Sequence, residues 1–217
     1  MPDLDPDRTL ALSYVGPRHR PALEALWRLD LAMGAVLAGG RNPMLSRIKL
    51  VWWRDALEAL DDKPAPAEPV LQAVAGAVLP LGVTGAELSA MEEGWSVLLS
   101  GDPLTEEDLD TYAAARGATL FRLSARLLGG PESLVGAAGE EWALGDLARH
   151  SNEADADAAL ARLRALPPPP RLPGRLRPLG MLTALAMRDA EPNRPRWEQQ
   201  GSPGRMWRML RYRLTGF

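Results

Sequence analysis

A chain of 217 residues with 46% hydrophobic side chains has room for one domain with a sizeable core. The net charge of −3 offers no footing for nucleic-acid binding by the whole chain, and the lack of cysteine excludes disulfides, thiolate metal sites and cysteine nucleophiles. The two histidines, His19 and His150, cannot build a histidine cluster around a transition metal.

The opening MPDLDPDR is acidic and polar, unlike a charged-then-apolar leader. No run of ~18 apolar residues follows, so no helix is expected to span a membrane. The expected location is the cytoplasm, with the inner membrane as the surface for any peripheral contact. Residues 1–15 form a lead-in with a short helix over Pro6–Val15. A helix over Pro17–Leu37 follows. Its apolar positions Ala22, Leu23, Leu26, Leu29, Met33 and Leu37 keep three- and four-residue steps, and Gly39-Gly40 ends it.

Asn42–Leu60, NPMLSRIKLVWWRDALEAL, reads as one helix with Asn42 as N-cap and Pro43 in the first turn. Met44, Ile48, Val51/Trp52 and Leu57/Leu60 recur at the period of a buried stripe. Arg47 and Arg54 share a second face, Asp55 and Glu58 a third.

Asp61–Pro69 is a proline-rich connector, and Val70–Leu81 is apolar. Thr84 and Glu87 have capping-box spacing and open a helix to about Leu99. Gly101-Asp102-Pro103 is a turn. Thr105 and Asp108 then open one long helix to Gly129, with acids in its first turn and arginines toward its end. Pro131 starts a helix that runs to His150. The acidic stretch Asn152–Asp157 leads into Ala158–Leu166, which Pro167–Pro170 stop. Gly174–Arg188 is an apolar helix, Pro192–Pro203 is irregular, and Arg205–Thr215 is a terminal helix. Nothing alternates with period two and nothing repeats. The fold class is therefore all-α, with eight to ten helices in a single domain over residues 1–217. No G-x-S-x-G, G-x-G-x-x-G or G-x-x-x-x-G-K-[ST] is present.

The order R-x-K-L-x-W-W-R-D-A-L after N-P-M-L resembles the squalene/phytoene synthase family. More narrowly, it is similar to a short bacterial branch that itself resembles a mitochondrial assembly factor for respiratory complex I. The resemblance runs from about Ala22 to about Leu182 and implies a shortened antiparallel bundle of the isoprenoid synthase type around a central cavity. In active members, two aspartate pairs on facing helices hold Mg²⁺ against a prenyl diphosphate. On the family's register the first pair falls near Gly34 and Ala38, neither acidic, with Asp30 alone upstream. Tyr112-Ala-Ala-Ala-Arg-Gly117 resembles a segment at the reaction cavity, with Arg116 where the family has alanine. Leu144-Gly145 and Ser151-Asn152 lead to the second motif, whose first aspartate falls at Ala156, between Asp155 and Asp157. Glu153 and Asp157, four apart, are the substitute metal candidates beside the simpler reading of a solvated helix start.

Ligand-binding candidates are Arg47, Trp52, Arg54, Asp55, Tyr112 and Gly117. Arg47 and Arg54 suit an anion such as a diphosphate or, more simply, ion pairs with Asp55, Glu58 or acids on neighbouring helices. Tyr112 is the one cavity candidate for catalysis. From Arg194 to Phe217 there are six arginines and one acid, Glu198. Arg205, Trp207, Arg208 and Arg211 are its candidates for touching a membrane or partner, or this helix caps the bundle with Trp207 packed inward. The favoured reading is a non-catalytic binding or respiratory-complex assembly protein that needs no cofactor. Its partner would be a protein, an isoprenoid or a prenyl diphosphate. The alternatives are an active Mg²⁺-dependent prenyltransferase and a bundle that carries an isoprenoid or other lipid.

Overall fold

The computed structural model describes residues 1–39, 42–101, 103–192 and 197–217. Gly40, Asp102, Arg194 and Arg196 of the expectations above lie outside the described residues. Among those residues every regular element is helical, as the all-α reading requires.

The chain opens with α1 (Pro6–Ser13), α2 (Arg20–Ala38) and α3 (Pro43–Ala59). The Asp5 and Asn42 side chains cap α1 and α3, each before a proline whose missing N–H costs nothing there. Next come α4 (Pro69–Ala77), α5 (Gly85–Ser89) and α6 (Met91–Val97). Thr84 and Glu87 close a reciprocal capping box on α5.

The long helix from Thr105 is α7 (Glu106–Thr111), a π-helical stretch over Tyr112–Ala118, and α8 (Thr119–Leu127), without a break between them. A Thr105–Asp108 capping box opens it. A π-helix widens the turn and is rare except near functional positions. The helix expected from Pro131 starts later, as α9 (Gly136–His150), after a single 3-10 turn at Glu132–Leu134. Glu132 is drawn out of helical register toward Arg126, whose Nε donates to it at 2.7 Å. Then follow α10 (Glu153–Ala165), α11 (Arg177–Asp189) and α12 (Pro203–Thr215).

α9 lies at the centre, packed on the π stretch, α8, α10 and α11. α2 packs on α3, α4, α6 and α8, while α12 rests on α11 and α1. Buried apolar side chains from Ala11 to Met209 join one continuous core. Where the π stretch crosses α9, both helices carry glycine. A Cβ on Gly117 would collide with the Gly139 carbonyl and stand 2.6 Å from the Ala143 Cβ.

The expected buried stripe of α3 is corrected. Met44, Ile48 and Trp52 are exposed, at 73%, 60% and 47%. The side chains that go inside are Ser46, Leu50, Trp53 and Leu57. Leu57 and Leu60 are buried as expected, so the correction falls on the first half of the stripe, where both sets have helical spacing and the neighbouring α2, α5 and α6 cover the second.

Candidate functional site

A cavity of ≈ 640 Å³ opens between α2, α6, the π stretch, α9 and α10. Its wall includes Gly34, Ala38, Trp95, Tyr112, Asp146 and Asp155. Gly34 keeps the α2 wall low. A Cβ there would stand 2.8 Å from the Trp95 ring.

At the inner end of the cavity sits a buried charge network built on Arg116. The π stretch aims this side chain inward, and it is 1% exposed. Its Nε and Nη2 donate to the two oxygens of Asp30 at 2.7 and 2.8 Å. Asp30 comes from α2 and is fully buried. From α9, Asp146 brings an oxygen within 2.8 Å of the same Nη2. The Arg116 Nη1 donates to the Tyr112 hydroxyl. Three rings surround the guanidinium, with its centre 4.1 Å from the Trp95 centroid, 4.7 Å from Trp142 and 5.2 Å from Tyr112. Cation–π attraction is strongest in such a desolvated setting. Arg8 of α1 adds a second cation, donating to Asp30 at 3.3 Å and lying 3.8 Å from Asp146.

The electrostatics follow from this geometry. Burial alone would raise the Asp146 carboxyl. Arg116, Arg8 and His150 outweigh it and hold the group well below the usual carboxylate range. Burial likewise works against the charge of Arg116, but Asp30, Tyr112 and Asp146 keep its pKa well above the ordinary value. Burial pushes the Tyr112 phenol up, so it stays protonated at any working pH. Asp146 is thus ionised and already matched by fixed cations.

Those acids do not fit a Mg²⁺ centre. A Mg²⁺ ion needs carboxylate oxygens free to donate lone pairs to the metal in near-ideal octahedral geometry. Here the oxygens of Asp30 and Asp146 point at guanidinium groups. Gly34 and Ala38, at the first pair's expected places, have no donor to offer. Asp155 reaches the cavity wall, but one oxygen accepts from the Leu104 N–H at 3.0 Å and the other from Asn152 Nδ2 at 2.8 Å. Among the described residues no group of three His, Asp or Glu side chains is placed to hold a metal ion.

The sequence candidates scatter. Tyr112 and Gly117 lie in the π stretch, Tyr112 on the cavity wall and Gly117 at the α9 crossing. Arg47, Trp52, Arg54 and Asp55 lie on α3 away from the cavity wall, Arg54 half-buried and the other three exposed. Arg54 pairs with Asp55 at 2.9 Å, and Trp52 packs edge-on against Trp53. Glu153 and Asp157 are exposed, and the substitute pair does not form at the cavity. Asn152 caps α10 through the Asp155 N–H, and that register sends Asp155 and Ala156 inward.

At the C-terminus, Arg205 is buried, bonded to Asp7 at 2.9 Å and to Asp189 at 2.6 Å. It is therefore no surface contact residue. Arg208 is half-buried against α11, where its Nε donates to the Ala184 carbonyl, and Arg211 is exposed. Trp207 does not pack inward. It is 67% exposed.

Sequence reasoning missed Asp146, Arg8 and Trp142. The available signal was charge inside apolar runs: Asp30 in LWRLDLAM, Asp146 in WALGDLA and Arg116 four residues after a core tyrosine. Three such charges in an otherwise apolar bundle call for partners.

The squalene/phytoene synthase family model matches residues 2–168 of this chain. No curated protein and no solved structure matches it.

Proposed function

The chain belongs to the squalene/phytoene synthase family, and we propose that it is a non-catalytic member, a binding or respiratory-complex assembly protein that keeps the bundle and its cavity without the Mg²⁺–diphosphate chemistry. One observation carries this reading: Arg116 bonds the inward-facing acids of both α2 and α9. A guanidinium is a permanent cation. It neutralises Asp30 and Asp146 as a metal would, but it offers no open coordination position to a phosphate oxygen. Its donors are directed to Asp30, Asp146 and Tyr112. Gly34 and Ala38 supply no replacement ligands. The assembly role draws on the likeness of Asn42–Leu57 to the short branch of the family and names no particular complex partner.

A second reading, an isoprenoid- or lipid-binding bundle, is favoured by the cavity itself. Its ≈ 640 Å³ lies within the usual range for small-molecule sites. The walls from α2 and α6 are largely apolar, through Leu31, Leu37 and Leu98.

The test is a thermal-shift titration with a non-hydrolysable farnesyl diphosphate analogue, with and without Mg²⁺. A ligand that binds only the folded state, at ~100 times its dissociation constant, stabilises by about 2.7 kcal/mol. The expected result is no Mg²⁺-dependent rise. Such a rise would overturn the non-catalytic reading in favour of a prenyltransferase. A rise independent of Mg²⁺ would select the lipid-binding bundle.

A further inference from the structure

Among the described residues no element covers the outer face of α12. Met206, Trp207, Leu214 and Phe217 are exposed at 46%, 67%, 68% and 63%. With half-buried Leu210, the helical members Met206, Trp207 and Leu214 follow the 206/207–210–214 spacing of a single stripe, and Phe217 lies just beyond the Gly216 cap. The opposite face holds the helix to the protein. Arg205 and Met209 are buried, and the Tyr212 ring packs directly over Gly180 of α11. The exposed stripe is therefore left over after docking, and no folding contact requires it to be apolar.

The charges beside this stripe have one sign. Pro203–Phe217 carries four arginines and no acid in a chain of net charge −3. Arg171, in the loop before α11, and Arg177, the first residue of α11, lie beside it. Arg177 donates to the Arg213 carbonyl at 2.7 Å, and the Arg171 guanidinium lies 4.7 Å from the Phe217 ring centroid. Among the described residues, Asp7 and Asp189 meet α12 on its inner side and are matched by Arg205, while Glu198 accepts from its N-cap Ser202 and pairs with Arg188. The outside is thus an apolar strip with arginines beside it, and Pro203–Phe217 itself contains no acid.

We propose that this face of α12 docks on an anionic lipid bilayer surface, with Trp207, Leu214 and Phe217 entering the interface and Arg211 and Arg171 meeting lipid phosphates. Charge complementarity selects an anionic partner, and the shape selects a bilayer. A 13-residue helix is about 20 Å long. One such convex face falls short of the ~800 Å² per side that a standard protein interface buries. A bilayer needs no matching groove, and an amphipathic helix with aromatic residues on one side and arginines beside them lies in its interface plane. Among the described residues no helix is long and apolar enough to cross a membrane, so the contact is peripheral. The inference does not depend on whether the cavity is catalytic.

Co-sedimentation of the full chain with phosphatidylcholine vesicles, with and without phosphatidylglycerol, tests it. Binding is expected only when phosphatidylglycerol is present, weakening as salt is raised. Arg211→Glu reverses one charge near the surface and should weaken binding at least fivefold. Trp207→Ser with Leu214→Ser should weaken it at least tenfold at unchanged melting temperature, since both side chains are already in water. Polyglutamate is the control for charge alone. Equal retention of the parent and the Trp207/Leu214 variant on polyglutamate is expected alongside their difference on vesicles. Equal binding to neutral and anionic vesicles, no vesicle binding, or vesicle binding indifferent to the serine variant would each overturn the proposal. A concentration-dependent dimer abolished by the serine variant would also overturn it, since the face would then belong to a second copy.

Discussion

The guanidinium of Arg116 grips both oxygens of Asp30 across 86 residues of sequence, at 2.7 and 2.8 Å, with both side chains out of water. This contact joins the π stretch to α2, and Asp146 extends it to α9. Removing one partner of a buried ion pair strands the other's charge, which costs about 3–5 kcal/mol. Arg116→Ala should therefore lose stability on that scale in urea unfolding. Replacing the group together, Arg116→Met with Asp30→Leu and Asp146→Leu, should recover part of the loss, because Arg8 keeps its pairing with Asp5 at 2.8 Å while losing the other two acids. A loss under about 1 kcal/mol for Arg116→Ala would mean that water reaches the network.

Glu141 of α9 predicts a pH dependence. It is 1% exposed, and among the described residues neither carboxyl oxygen has a hydrogen-bond partner. Burial, with a smaller push from Glu140, raises its pKa from 4.5 to about 8. The folded state therefore holds a proton that the unfolded chain releases. Stability is greatest below the unfolded value and falls as pH rises from about 4.5 to about 8, beyond which the loss is complete. The slope from this group approaches about 1.4 kcal/mol per pH unit. Glu141→Gln mimics the protonated form. It should be near neutral at the acid end of that window and stabilising at the alkaline end, raising the melting temperature there by several degrees. Parallel melting curves for parent and variant across the window would refute this.

Two glycine substitutions should act in opposite directions. Gly117→Ala drives a methyl group into Gly139 and Ala143 at the α9 crossing, where backbone cannot yield. It should destabilise by about 1–3 kcal/mol. Gly76→Ala in α4 meets nothing within 4 Å and should stabilise by about 0.5–1 kcal/mol. Chemical denaturation of the two variants beside the parent measures both, and a tolerated Gly117→Ala would show that the helices can move apart.

Arg205 holds α12 to the rest of the chain through Asp7 of α1 and Asp189 of α11. Arg205→Ala leaves both acids buried without their shared cation, and Asp189 still has Arg149 at 2.7 Å. We expect amide protons of α12 to exchange with solvent at least tenfold faster, while those of α9 change little. Uniform acceleration would mean that α12 does not open as a separate unit.

Helix existence was readable because it is local. Apolar spacing, Asn42 before Pro43, and the Thr84–Glu87 and Thr105–Asp108 pairs are signals within a few residues, and backbone hydrogen bonding acts at that range. The loss of the first metal pair at Gly34 and Ala38 was also readable, since neither side chain has a donor wherever the helix points. Facing was not readable. α3 carries two stripes of helical spacing, and neighbouring α2, α5 and α6 settled that Leu50 and Trp53 go inside while Ile48 and Trp52 stay out. The charge network was hidden for the same reason. Asp30, Arg116 and Asp146 look like unrelated polar residues along the chain and become one unit only when three helices meet. A buried charge is tolerable only beside its opposite, and which opposite lies within 3 Å is set by packing across the bundle, not by neighbours in sequence.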